Sequence, residues 1–206
     1  PGAADTAMAI LAVNAGSSTL KFALYPRDGC DVGPSVLAGS IQGLEPGGQP
    51  RIEWRGLGRT QAQALPQAAG DSFTPALQHL GELLAAQADL PAIEAVAHRV
   101  VHGGPDFSAS VIVTEAILQR LAQFSSLAPL HQPQNLQGIR AFQRAFPGLR
   151  QVACFDTAFH ASIPEIDVRF ALPRHLWAQG VRRYGFHGLS YQYVMATLQA
   201  RSTRAG

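Results

Sequence analysis

Four short polar islands, each beside an apolar run, hold the residues of this sequence that are equipped for chemistry. The first is Asn14-Ala15-Gly16-Ser17-Ser18-Thr19-Leu20-Lys21. Its small residues leave backbone N–H groups and the hydroxyls of Ser17, Ser18 and Thr19 free to face an anion. Lys21 adds a point charge suited to a phosphate, and Asn14 adds a neutral oxygen suited to Mg²⁺ or its water shell. A solvated hairpin turn with a snorkelling lysine accounts for the same residues about as well. The second island is His98-Arg99-Val100-Val101-His102-Gly103-Gly104. On a strand, Arg99 and Val101 share one face, and His98, Val100 and His102 share the other. Arg99 is forked and always charged, which suits a two-point grip on a carboxylate or phosphoryl group. Gly103-Gly104 lets a ligand approach the backbone. His98 and His102 would need helical spacing to share a metal, and paired glycines oppose a helix, so hydrogen-bonded structural roles are the stronger reading.

The third island, Ala128-Pro129-Leu130-His131-Gln132-Pro133 with Asn135 beyond, is expected to be stiff and non-helical. Such a segment serves as a pocket wall or as a plain connector. The fourth combines Phe155-Asp156-Thr157-Ala158-Phe159-His160 with Arg182-Arg183-Tyr184-Gly185-Phe186-His187-Gly188. Asp156 closes a strand, and ligands of α/β sheets bind beyond the carboxyl ends of the strands. His187 is placed to donate to a developing negative charge, or is a core histidine with a backbone partner. A hydrolytic pairing of Asp156 with His187 lacks a serine on a strained elbow. A metal hydrolase built on Asp156, His160 and His187 is the weakest reading. The sequence holds no P-loop, no Gly-x-Gly-x-x-Gly after a strand and no His-Glu-x-x-His.

These islands need elements to position them. Apolar runs at 9–14 and 20–25 read as two close strands, with turn signals from Pro26 to Gly29. Residues 35–41 and 51–54 suggest a third and fourth strand. Helical periodicity marks 72–88, 114–124 (with Thr114 as N-cap) and 136–146, and further strands fit 92–101 and 151–155. A last helix follows the motif at 181–194. Strands first, then strand and helix in alternation, give an α/β class with a mixed sheet flanked by helices. Among 206 residues, 47% are hydrophobic and 15% charged, so the chain can bury a core without disulfides and is not disordered. The net charge of +2 is too mild to advertise nucleic acid. No apolar stretch is long enough to span a membrane, and no positive segment precedes an apolar core as in a secretory signal. Cys30 and Cys154 form no zinc or disulfide pattern, which fits a reducing, cytoplasmic setting. Of 16 basic residues only Lys21 is a lysine.

Taken in order, the five segments beginning at Asn14, His98, Ala128, Phe155 and Arg183 resemble the acetate kinases, over residues of about 9 to 194. The resemblance implies the first of two ribonuclease-H-like domains of the sugar-kinase and actin-like ATPase superfamily. That domain is expected over residues 8–195, with 196–206 beginning an interdomain helix and a C-terminal nucleotide-binding domain lying beyond the chain. It further implies that Asn14 helps hold Mg²⁺ and that Lys21, Ser17 and Ser18 meet the phosphates of ATP. Arg99 would hold the substrate carboxylate, and Val101, Leu130 and Phe186 would line a small methyl pocket. Asp156 is the residue the family designates as acid/base, and His187 would stabilise the transition state. Leu189 and Tyr191 depart from the family's usual threonine and histidine. The parent enzyme is expected to be a homodimer that converts ATP and acetate to ADP and acetyl phosphate. Propionate and butyrate kinase are the near alternatives, and a non-catalytic anion-binding module is the alternative of another class. The chain by itself is expected to be inactive and to expose an apolar docking face.

Overall fold

Alternating burial builds the first two strands of the computed structural model, which describes residues 8–67 and 70–202. In β1 (Met8–Ala15), Ala9, Leu11, Val13 and Ala15 are buried, and in β2 (Thr19–Asp28) Leu20, Phe22 and Leu24 repeat the pattern. Period-two alternation turns all of these toward one side. The two strands pair antiparallel with Asn14 opposite Lys21. The short β3 (Asp31–Val32) pairs with the end of β2, and β4 (Leu37–Gln42), β5 (Arg51–Gly56) and β6 (Arg59–Ala64) extend the antiparallel part. On the other side, β7 (Ala92–Val100) lies parallel to β1, and β9 (Arg150–Phe155) lies parallel to β7. The two-residue β8 (Val111–Ile112) closes that edge antiparallel to β9. The order is β6-β5-β4-β2-β1-β7-β9-β8, with β3 beside β2. The expected mixed α/β sheet is therefore present.

Two expectations change. Pro26 does not end β2. The strand runs on to Asp28, and the Pro26 carbonyl accepts the Gly33 N–H at 2.9 Å, a position that needs no N–H from the ring. The sequence also gave no sign of β6, whose Arg-Thr-Gln-Ala-Gln-Ala is exposed throughout. Its pairing follows from the turn before it. Leu57 and Gly58 both have positive φ, 52° and 71°, as a tight hairpin of matching twist requires.

Helices α1 (Phe73–Ala85), α2 (Glu115–Ala122) and α3 (Gln132–Ala145) cover one face of the sheet. Leu77, Leu80 and Leu84 of α1 and Phe142 of α3 pack on the strand residues of β1, β2, β4 and β5. A second cluster joins Leu118, Leu121, Leu136 and Ile139 to Val100, Ala153 and Phe155. Thr114 caps α2 as expected, its Oγ1 accepting the Ile117 N–H at 3.2 Å. The stiff third island is a correction. Helix α3 starts at Gln132, not at Leu136, and Pro133 sits in its first turn, where a missing N–H costs nothing.

The opposite face carries the remaining alternate positions: Asn14, Lys21, Ser40, Arg99 and Cys154. The short helices α4 (Glu165–Val168) and α5 (Arg174–Ala178) lie in the excursion after β9, and α6 (Gly188–Arg201) returns to contact β9. Helix α6 exposes Tyr191, Tyr193, Val194, Met195 and Leu198. Residues 203–206 of the expected last helix lie outside the described residues. Among the described residues, no helix is long and apolar enough to cross a membrane.

Candidate active site

Parallel pairing of β7 with β9 sets Arg99 beside Cys154, so that the next outward position on β9's path, Asp156, falls within reach of the guanidinium. Arg99 Nε donates to both Asp156 oxygens at 3.2 and 3.1 Å, and its Nη2 donates to Oδ2 at 2.6 Å. The Asp156 side chain is 1% exposed and that of Arg99 is 31% exposed. A buried carboxylate needs such a partner, because an unpaired buried charge is strongly unfavourable. Nη1 of Arg99 takes no part in that pair.

Backbone contacts fix Asp156 from both sides. Its N–H donates to the Val100 carbonyl at 3.0 Å, and its own carbonyl accepts the Gly188 N–H at 3.1 Å. Only glycine fits at position 188, since a Cβ there would stand 2.0 Å from the Asp156 carbonyl oxygen. This contact ties the start of α6 to the end of β9. His187, directly before it, is exposed and has φ of 57°. The left-handed region is uncommon for a residue with a Cβ, and such backbone gathers where function over-determines it.

Other side chains brace the loop after β7. The Thr157 hydroxyl oxygen accepts the Gly103 N–H at 3.0 Å. Asn135 bridges two of the islands: its Oδ1 accepts the Val101 N–H at 3.0 Å and its Nδ2 donates to the Ala15 carbonyl at 3.2 Å. Gln132 donates to the His102 carbonyl at 2.9 Å. No spacing in the sequence marks these bracing roles, because each partner is remote in the chain.

His98 and His102 are both buried and hydrogen-bonded. His98 Nε2–H donates to Gln151 Oε1 at 2.6 Å, its ring meets Phe142 edge-on, and burial pulls its pKa down to about 4. His102 is 1% exposed, and burial lowers its pKa too. Its Nδ1 accepts the Gly104 N–H at 2.8 Å, so the proton of the neutral ring sits on Nε2. The His102 ring packs against Tyr184 and Phe186, with centroids 4.5 and 5.7 Å away. The His160 Nε2–H donates to the Phe186 carbonyl at 2.9 Å.

The sequence-derived residues do not all converge. Arg99 joins Asp156, and Asn14 stands across from Lys21. Ser17 lines a cavity of about 460 Å³ beside Gln134 and Gly138, whereas Lys21 lines a separate one of about 440 Å³ with Ser40 and Glu53. Ser18 is half-buried in the same turn, where its carbonyl accepts the Leu44 N–H at 3.0 Å. Val101 is half-buried, while Phe186 is 40% and Leu130 77% exposed. Leu130 therefore stands open to solvent among the described residues. For a divalent cation, no cluster of three His, Cys, Asp or Glu is present among the described residues. Asn14 offers one neutral oxygen, which fits Mg²⁺ that keeps its waters and arrives with phosphates, and does not fit a cage made by protein alone.

A model of the acetokinase family matches residues 9–204. The chain belongs to the acetokinase family. Other acetokinases include an acetate kinase of Nitrobacter hamburgensis, 41% identical over 191 residues, which cover 92% of this chain and 46% of that protein. An acetate kinase of Shewanella oneidensis is 44% identical over 188 residues, covering 90% and 46%. Among solved structures, a propionate kinase from Francisella tularensis superposes with a TM-score of 0.80 at 33% identity, covering 92% of this chain and 48% of that one. Acetate kinase from Porphyromonas gingivalis gives 0.75 at 35% identity, covering 93% and 48%. The chain thus spans about half the length of the acetokinases it matches.

Proposed function

We propose that this chain is the carboxylate-binding half of a phosphotransferase that moves the terminal phosphoryl group of ATP to acetate. The observation that carries this reading is the Arg99–Asp156 fork, set where the parallel strands end and locked to the start of α6. In this reading residues 8–195 form the first ribonuclease-H-like domain. The adenosine site lies in the half of the acetokinases that this chain does not cover, and turnover needs both halves, because closure of two domains excludes water from the reaction.

Phosphoryl transfer asks mainly for alignment and neutralisation of charge. Arg99 grips the substrate carboxylate through Nη1, the amine that Asp156 leaves open. A carboxylic substrate is already ionised at pH 7, since carboxyl pKa values lie near ~4. Its oxygen needs no base, so Asp156 serves by holding Arg99 in plane. His187 donates to the charge that grows on the transferring group. Lys21, Ser17 and Ser18 meet the nucleotide phosphates, and Asn14 holds Mg²⁺, which when bound neutralises phosphate charge. Val101 and Phe186 limit the length of the acid, and Leu130, open to solvent in this half, joins them once the second half closes over it. The superposition on a propionate kinase favours one second reading, a substrate longer by one methylene.

The test joins this chain to the C-terminal half of the Nitrobacter acetate kinase and traps product with hydroxylamine. The joined protein is expected to form acetyl hydroxamate from ATP, Mg²⁺ and acetate, and the 206-residue chain is expected to form none. An Arg99→Met version should lose about a hundredfold in kcat/KM for acetate with the KM for ATP unchanged. A folded but inert joined protein would overturn the assignment, and product from the chain alone would overturn the need for a second half.

A further inference from the structure

A cavity smaller but more enclosed than those lined by Ser17 and Lys21 lies away from the Arg99–Asp156 fork. It lies behind it, between the loop after β7 and the excursion that carries α4 and α5. Its volume is about 210 Å³, and its walls include Thr157, His160, Asp167, Arg182, Arg183 and Tyr184. None of Asn14, Lys21, Arg99, Asp156 or His187 reaches it. Two arginines against one aspartate leave an excess of positive charge. Neither Arg182 nor Arg183 has a carboxylate within 4.0 Å among the described residues, although five other arginines do.

The two guanidiniums are held by rings instead. Arg182 lies 5.9 Å from the Trp177 centroid and 5.4 Å from that of Tyr184, and Arg183 lies 5.2 Å from Phe170. Contact with a ring face leaves the in-plane N–H edge of an arginine for hydrogen bonds. Nε of Arg182 is buried and donates to nothing among the described residues. A buried donor without an acceptor is rare and unfavourable, so such a group calls for a partner. The Thr157 hydroxyl, whose oxygen accepts from Gly103, keeps its own proton to donate.

We propose that this cavity is a second anion site, which takes a small oxyanion bearing a phosphate or carboxylate group, with Arg182 as its principal ligand and Arg183 and Thr157 beside it. The site adjoins the loop after β7 and the segment that leads to His187. Tyr184 packs on His102, Gly185 leaves no space for a Cβ against the His160 ring (2.3 Å), and His160 holds the Phe186 carbonyl.

The test follows the Arg182 Nε–H resonance of the ¹⁵N-labelled 206-residue chain. Inorganic phosphate and succinate are titrated separately at constant ionic strength, with chloride as the control. A saturable shift with phosphate, with succinate or with both is expected, and which one saturates identifies the source of the oxyanion. Arg182→Lys keeps the charge but loses the fork and its own Nε–H reporter, so its binding is read from the ¹⁵N amide resonances of Thr157 and Gly185 in the cavity wall, and it should be about tenfold weaker. Arg183→Lys is the second variant should the first fail to fold, and should weaken binding by a smaller factor. Arg99→Met should leave binding unchanged. The proposal is overturned if neither anion saturates. It is equally overturned if Arg99→Met abolishes the shift while a folded Arg182→Lys or Arg183→Lys chain binds as well as the parent.

Discussion

Acid should weaken this domain through one buried imidazole. His98 is 3% exposed, donates from Nε2 to Gln151 and packs edge-on against Phe142, and burial places its pKa at about 4. Charging the ring means protonating Nδ1 in an apolar surround, which desolvation opposes. In the unfolded chain the same group titrates near ~6.5. Between those values the unfolded state binds the extra proton, so stability rises with pH across the window and falls as pH drops from 6.5 toward 4. At pH 4 the linkage from His98 amounts to about 3 kcal/mol, and below that it levels off. The assay is urea unfolding at pH 7 and pH 4, followed by far-UV circular dichroism. His98→Leu with Gln151→Leu removes both polar partners together, so no buried acceptor is stranded. In that double variant the loss of stability between pH 7 and pH 4 should shrink by about 3 kcal/mol. An unchanged pH dependence would refute the reasoning, as would an NMR titration of the His98 ring with a midpoint near its ordinary value.

Two further outcomes rest on single contacts. Gly188→Ala should destabilise the chain by about 1–3 kcal/mol, because its Cβ would press on the Asp156 carbonyl at 2.0 Å and on Phe159 at 2.5 Å. An unmoved melting temperature would show that the junction of β9 and α6 is looser than described. Thr114→Ala removes the oxygen that accepts the Ile117 N–H and should cost about 1 kcal/mol, read from the urea midpoint. No change there would mean that water replaces the cap without loss.

The strands were legible where one face is buried. The apolar runs at 9–14, 20–25 and 151–155 located β1, β2 and β9 to within a few residues. The hidden strand β6 has no apolar face, so its pairing depends on the Leu57-Gly58 turn and on the partner strand β5. Pro133 misled for a different reason. Proline breaks a helix interior but is accepted in a first turn, and only the position of the helix start distinguishes the two.

By itself the sequence determined which side chains were available: one lysine, a forked Arg99, an acid at a strand end and an imidazole beside a glycine. Local periodicity also told which of them sit on strands and which at their ends. Tertiary structure decided who meets whom. Arg99 and Asp156 are 57 residues apart and touch because two parallel strands share a register. The fold buries His102 and so disfavours its charged form, and among the described residues Arg182 meets aromatic rings in place of a carboxylate. Pairing, burial and exclusion of water act between segments remote in the chain, and no pattern of neighbouring residues encodes them.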